Sequence, residues 1–218
     1  MKIRSIDELE ELIAQEFAWR RKELTNLKNL SLSAKNSIQS TLLKTSITLL
    51  YSHWEGFVKK ISIAYCEYIN HQGLDYGQLK GNFSVCAVIN EFQGQYPHKN
   101  FKSLHKVLND ESLYAKSCKI DTEKYIDTGS NLNSEVLKEI TQKVGVDYSF
   151  YELKENLIDE KFLGLRNAVS HGEYRLVTEE DFIELYDEIT SLINIFKNQI
   201  INAAIQKSYL SGQDEKVA

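Results

Sequence analysis

From Leu43 to Tyr68 the apolar residues Leu43, Ile47, Leu50, Trp54, Phe57, Ile61, Tyr65 and Tyr68 recur in steps of three and four. That spacing holds one apolar stripe on one side of an α-helix for about seven turns. It is a coiled-coil-like seam, and it predicts a helix from about Ser33 to His71 with Gly73 as its stop. The whole chain contains one proline, Pro97. Proline removes a backbone donor and clashes with the preceding turn, so its scarcity suits a chain of long helices.

Three further long helices are read around this one. Ser5 and Glu8 form a capping box ahead of Leu9, Ile13, Phe17, Leu24 and Leu27, so a first helix is expected over about 5–29. Ser149 and Glu152 read as a second box, opening a helix to His171 whose apolar face is Leu153, Leu157, Ile158, Phe162, Leu165 and Val169. Thr178, followed by Glu179, Glu180 and Asp181, marks the start of the last helix, with acids favoured by the helix dipole. That helix is expected to end near 207, with a polar, frayed tail over 208–218. Short connections favour antiparallel pairs. The expected fold is all-α: a single domain over 1–218 built as a four-long-helix bundle. Residues 74–148 form a mostly helical insertion between helices two and three. Within it, short helices are expected near 83–93, 100–109 and 133–144, and 117–130 reads as strand or loop.

Composition narrows the class. Hydrophobic residues make up 42% and charged residues 26% of 218 positions, as in ordinary globular domains. The formal net charge of −5 argues against a protein that grips nucleic acid by bulk electrostatics. Cys66, Cys86 and Cys118 are odd in number and lack CxxC spacing, so neither a disulfide framework nor a zinc site is suggested. No apolar run is long enough to span a membrane. The N-terminus turns acidic before any apolar stretch, so no signal peptide is visible and a reducing cytoplasm is expected.

The residues with chemistry sit at the end of the third long helix, in Leu163-Gly164-Leu165-Arg166-Asn167-Ala168-Val169-Ser170-His171-Gly172-Glu173. Asn167 and His171 are four apart and share a face; Arg166 flanks it. Gly172 suits the left-handed residue that closes a helix. His171 then lies at the negative end of the dipole, where the protonated imidazole is favoured. A guanidinium can clamp phosphate oxygens and stabilise a pentacoordinate transition state. A histidine can take a proton from an attacking 2′-hydroxyl or give one to the leaving oxygen. No acidic cluster with metal spacing accompanies the stretch, so neither metal nor cofactor is expected. One copy does not easily supply both acid and base; two copies facing each other would. The alternative is purely structural: Arg-Asn capping carbonyls and His-Gly stopping a helix.

Arg166-Asn167-Ala168-Val169-Ser170-His171 resembles the R-x(4–6)-H motif of the HEPN superfamily, with a polar residue directly after the arginine. The long-helix layout, and the Tyr51-to-Lys60 segment around Trp54-Glu55-Gly56-Phe57, resemble the small prokaryotic HEPN nucleases of defence and toxin–antitoxin loci. The resemblance covers roughly 5–71 and 150–207. It implies a metal-independent endoribonuclease that dimerises so that both motifs line one cleft, leaving a 2′,3′-cyclic phosphate and a 5′-hydroxyl. It also implies a co-encoded antitoxin or defence partner. Arg166 and His171 match the motif positions and Asn167 the polar one. The alternative function is a non-catalytic HEPN-like module that binds a partner protein or a nucleotide.

Other residues are weighed beside this motif. Ser170, His53 and Glu55 are supporting candidates, the latter two because they flank Gly56. A glycine inside a helix costs roughly 1 kcal/mol, so a helix, a second subunit or a ligand is expected to approach there closely. Their plainer reading is a Glu55–Lys59 pair at i,i+4 and a satisfied boundary histidine. Arg20, Arg21, Lys59 and Lys60 are candidates for RNA-backbone contacts, against the plainer reading of solvated basic faces. Lys99, Lys102, His105 and Lys106 share one helical face of the insertion and are candidates for an RNA or partner surface.

Overall fold

A computed structural model describes residues 2–92, 100–129 and 131–212. Among them the secondary structure is helical, and the only β-pairs are two isolated bridges, Asp75 to Ser117 and Leu79 to Leu210. Pro97 and the candidate Lys99 lie outside the described residues.

Helix α1 spans Ile6–Ser33, four residues beyond the expected end. Ser5 caps it by accepting from Glu8 N–H, while the Glu8 carboxylate takes the Arg4 N–H. Helix α2 spans Asn36–Asn70. Two residues separate the helices, so they fold back on each other. Contacts record an antiparallel register: Ser31 Oγ lies 2.7 Å from Ser46 Oγ, Glu23 meets His53, and Arg20 meets Gly56. The predicted seam is the core, with Leu43, Ile47, Leu50, Trp54, Phe57 and Ile61 all buried.

Helix α3 (Gly81–Phe92), α4 (Phe101–Asn109), α5 (Thr122–Tyr125) and α6 (Ser134–Val144) lie in the region expected to be an insertion, with short 3₁₀ turns at Tyr76–Gln78 and Glu111–Leu113. Residues 117–121 carry no strand and are pinned to the end of α2. The Asn70 amide donates to Ile120 O at 2.9 Å and accepts from Ile120 N–H at 2.7 Å.

The third long helix departs from the expected continuous rod. Helix α7 is only Ser149–Glu152. A seven-residue π-helical segment follows over Leu157–Leu163, and regular α-helix resumes as α8, Gly164–Ser170. The Ser149 cap is not formed. Ser149 instead donates both its N–H and its hydroxyl to Asp147, which leaves the hydroxyl committed. Leu153, expected in the core, falls at the break and is 95% exposed. Each π turn takes in one extra residue, so the inward face passes from Ile158 and Phe162 to Ala168. Asp159, inside the π segment, accepts from both the N–H and the hydroxyl of Ser134, capping α6 from outside.

Helix α9 spans Glu179–Ile205 and opens with the full reciprocal box between Thr178 and Asp181. It runs antiparallel to the third span through Tyr151–Gln199, Lys154–Glu188 and Lys161–Glu184, and to α1 through Lys28–Asp187. The tail is not frayed over 208–212. Tyr209 is buried against the rings of Tyr65 and Tyr68, and Ser211 N–H donates to Gln78 O. An aromatic side chain with a ready apolar slot docks even in a polar stretch. No helix among the described residues is long and apolar enough to cross a membrane.

Candidate active site

Helix α8 ends at His171 in the manner its sequence predicts. Gly172 takes φ +74°, its N–H donates to Val169 O, and Glu173 N–H donates to Ala168 O. These two bonds form a Schellman closure. They place the exposed His171 at the carbonyl end of the helix. His171 N–H donates to Asn167 O at 2.9 Å. Ser170 is exposed beside it.

Arg166 is half-buried and held on three sides. Its Nη1 donates to Asn167 Oδ1 at 2.7 Å and to Asn131 Oδ1 at 2.7 Å. Its guanidinium carbon lies 4.5 Å from the centre of the Tyr51 ring, a cation–π contact. No carboxylate forms an ion pair with Arg166 among the described residues. Asn167 therefore serves both motif residues, with its side-chain oxygen on Arg166 and its main-chain oxygen on His171.

Two residues that sequence reasoning missed complete this setting. Tyr51 is fully buried on α2, packs on Phe162 of the π segment, and accepts at its hydroxyl from Leu132 N–H. Burial, and then the nearby Glu55 carboxylate, push its phenol up to about 12, so it stays neutral beneath the arginine. Asn131 comes from the insertion, whose 131–134 arm is fastened to the bundle by Tyr51 on one side and Asp159 on the other. No sequence signal marks Asn131. Tyr51 is visible only as a residue beside the seam.

The remaining candidates divide. Glu55 lies near Tyr51, whose ring packs under Arg166. His53 is turned the other way, into the α1–α2 contact, with Nε2 2.9 Å from Glu23 Oε2 and its ring edge-on to Trp19. Gly56 is approached by a helix: a Cβ there would lie 3.3 Å from Arg20 Nη2. Arg20 is buried, paired with Glu16 and stacked on Trp19 at 4.2 Å. Arg21 is exposed on α1, and Lys59 and Lys60 are half-exposed on α2. Lys102 and His105 are exposed on α4, whereas Lys106 is paired with Glu91 at 2.9 Å.

No three His, Cys, Asp or Glu side chains among the described residues are grouped to hold a metal ion. The three cysteines are free and buried. Burial pushes the Cys118 thiol up to about 11 and Cys86 to about 12, which makes them poor nucleophiles.

The sequence matches the family profile described as RiboL-PSP-HEPN over residues 15–202, which takes in α2, the whole insertion and the Arg166–His171 motif. The chain belongs to this HEPN family. The HEPN match includes 74–148, so the Asn131 arm lies inside the matched region and not in an appendage. No curated protein and no solved structure matches the chain.

Proposed function

We propose that this HEPN chain is a metal-independent endoribonuclease. One observation carries the reading: Arg166 is a half-buried cation that forms no ion pair with a carboxylate among the described residues, aimed by two amide oxygens and an aromatic face, five residues before an exposed helix-terminal histidine. A purely structural arginine is normally paired with a carboxylate. Here Nε and Nη2 make no hydrogen bond to protein among the described residues, which leaves one edge of the guanidinium for phosphate oxygens.

In this reading Arg166 holds the scissile phosphate and stabilises charge on the pentacoordinate transition state. His171 accepts the 2′-hydroxyl proton as the 2′-oxygen attacks phosphorus. The 5′-oxygen leaves with a proton, giving a 2′,3′-cyclic phosphate and a 5′-hydroxyl. Asn167 fixes the spacing of the two motif residues. The donor of that proton is His171 of a second copy, so the active species is a homodimer. A role in prokaryotic defence or as a toxin, restrained by a co-encoded partner, accords with an enzyme that would injure its own cell.

The test is incubation of purified protein with total RNA in EDTA. Cleavage is expected, and Arg166→Ala and His171→Ala are each expected to abolish it with unchanged circular dichroism. Full cleavage by both variants would sink the proposal. A second reading, a non-catalytic module binding a partner protein or nucleotide, is favoured by one observation: Nη1 of Arg166 is already committed to Asn131 and Asn167. It predicts no cleavage by the wild type and a stable complex with a co-encoded protein.

A further inference from the structure

A concave site lies on the α1–α9 side of the molecule, while Arg166 packs on Tyr51 of α2 and bonds to Asn131. The groove has a volume of about 490 Å³ and its floor is Phe17, Leu24 and Ile193. A shallower depression of about 400 Å³ adjoins it and shares Phe17, Arg21 and Thr25. The larger volume falls within the range of small-molecule sites, which are roughly 300–1,000 Å³.

The charges of the lining do not cancel. Of its four ionic side chains, Arg20 is paired with Glu16, and Asp187 is paired with Lys28 at 2.8 Å. Arg21 and Lys197 remain, and neither forms an ion pair among the described residues. Lys197 is half-buried, with its ammonium 4.5 Å from the centre of the Phe17 ring. Lys22 follows Arg21 into the adjoining depression. A chain of net charge −5 thus keeps three uncompensated cations around one groove. Ser191 and Asn194 stand exposed on the α9 wall and offer hydroxyl and amide groups to a polar ligand.

We propose that the α1–α9 groove binds a phosphate-bearing ligand of nucleotide size, with Arg21 and Lys197 holding the phosphate and Ser191 and Asn194 the neighbouring polar groups. This site is separate from the motif, and its occupancy does not require the motif to be catalytic. The same chemistry is presented by a free nucleotide and by one nucleotide unit of an RNA strand.

Two probes separate these sources: ADP, and a 2′-O-methylated RNA decamer, which lacks the attacking hydroxyl and remains intact. Binding is measured by calorimetry for ADP and by fluorescence anisotropy for the decamer, on the full chain. The variants are Arg21→Gln and Lys197→Met, the latter keeping the alkyl stem over Phe17. Each is expected to weaken the bound probe about tenfold, the scale of one charge-assisted hydrogen bond. Arg166→Ala is expected to leave ADP binding unchanged. Binding of ADP that the groove variants weaken assigns the groove to a free nucleotide; binding of the decamer alone, weakened by the same variants, assigns it to an RNA strand; binding of either probe that neither variant weakens overturns the proposal. Absence of binding by both probes at millimolar concentration overturns the proposal. So does binding that Lys59→Gln and Lys60→Gln on α2 weaken as much as the groove variants do.

Discussion

Asn131 and Arg166, thirty-five positions apart, are joined by a 2.7 Å hydrogen bond from the guanidinium Nη1 to the amide oxygen. The bond ties the insertion to the motif of the third span. An arginine stem has several rotatable bonds, and fixing one edge of its guanidinium sets the direction of the other. In the proposed ribonuclease, Asn131 would therefore be a positioning residue for Arg166. Asn131→Ala is expected to lower the cleavage rate about 10- to 100-fold, the cost of a displaced catalytic group. RNA binding should change little. The comparison of kcat with KM on a defined oligonucleotide checks this: a rise in KM at constant kcat would assign Asn131 to substrate binding instead.

Tyr51 supports the same arm from below. Its hydroxyl accepts from Leu132 N–H in a buried setting. Tyr51→Phe keeps the ring under Arg166 but strands that N–H, at a cost of about 1–3 kcal/mol. The expected result is a lower urea midpoint with an intact cation–π contact. An unchanged midpoint would mean that the 131–132 arm finds another partner.

What was legible beforehand follows the range of the interactions involved. The seam of α2, the Thr178 box and the Gly172 closure depend on residues within five positions of each other, so spacing reveals them. The Tyr51–Asn131–Arg166 cluster joins three distant segments and leaves no periodic trace. The π segment was hidden for a different reason. Ile158 and Phe162 fit an α pattern as well as a wider one, and what distinguishes them is the capping of Ser134 by Asp159, a contact across twenty-five residues. The docking of Tyr209 leaves no sequence signal, because a single aromatic in a polar tail has no pattern to join. His53 and Glu55, two positions apart, were weighed together. An α-helix turns such neighbours about 200° from each other, so one faces α1 and the other the motif side.

Gly56 and Arg20 form a testable couple. Alanine in a helix interior is worth roughly 1 kcal/mol over glycine. At Gly56 the new Cβ would meet Arg20 Nη2 at 3.3 Å, and Arg20 is held by Glu16 and Trp19. Gly56→Ala is expected to gain about 1 kcal/mol only in an Arg20→Ala background, and little or nothing beside the native arginine. Equal gains in both backgrounds would show that Arg20 yields freely and that the glycine has some other cause.

His53 makes stability depend on pH in a definite direction. Burial is the main influence and lowers its pKa; Arg20 lowers it further, and the Glu23 carboxylate opposes both without reversing them. The folded state therefore binds a proton at His53 less readily than the unfolded chain, whose imidazole titrates near 6.5. Above that pH both states hold neutral histidine and the residue is without effect. As pH falls below about 6.5 the unfolded chain takes up the proton first, and stability declines. The denaturation midpoint is expected to drop between pH 7 and pH 5, a window above the carboxylate range. His53→Gln preserves a polar contact to Glu23 and removes the titration, so it should flatten that slope. A slope as steep in His53→Gln as in the native chain would assign the pH dependence to another histidine.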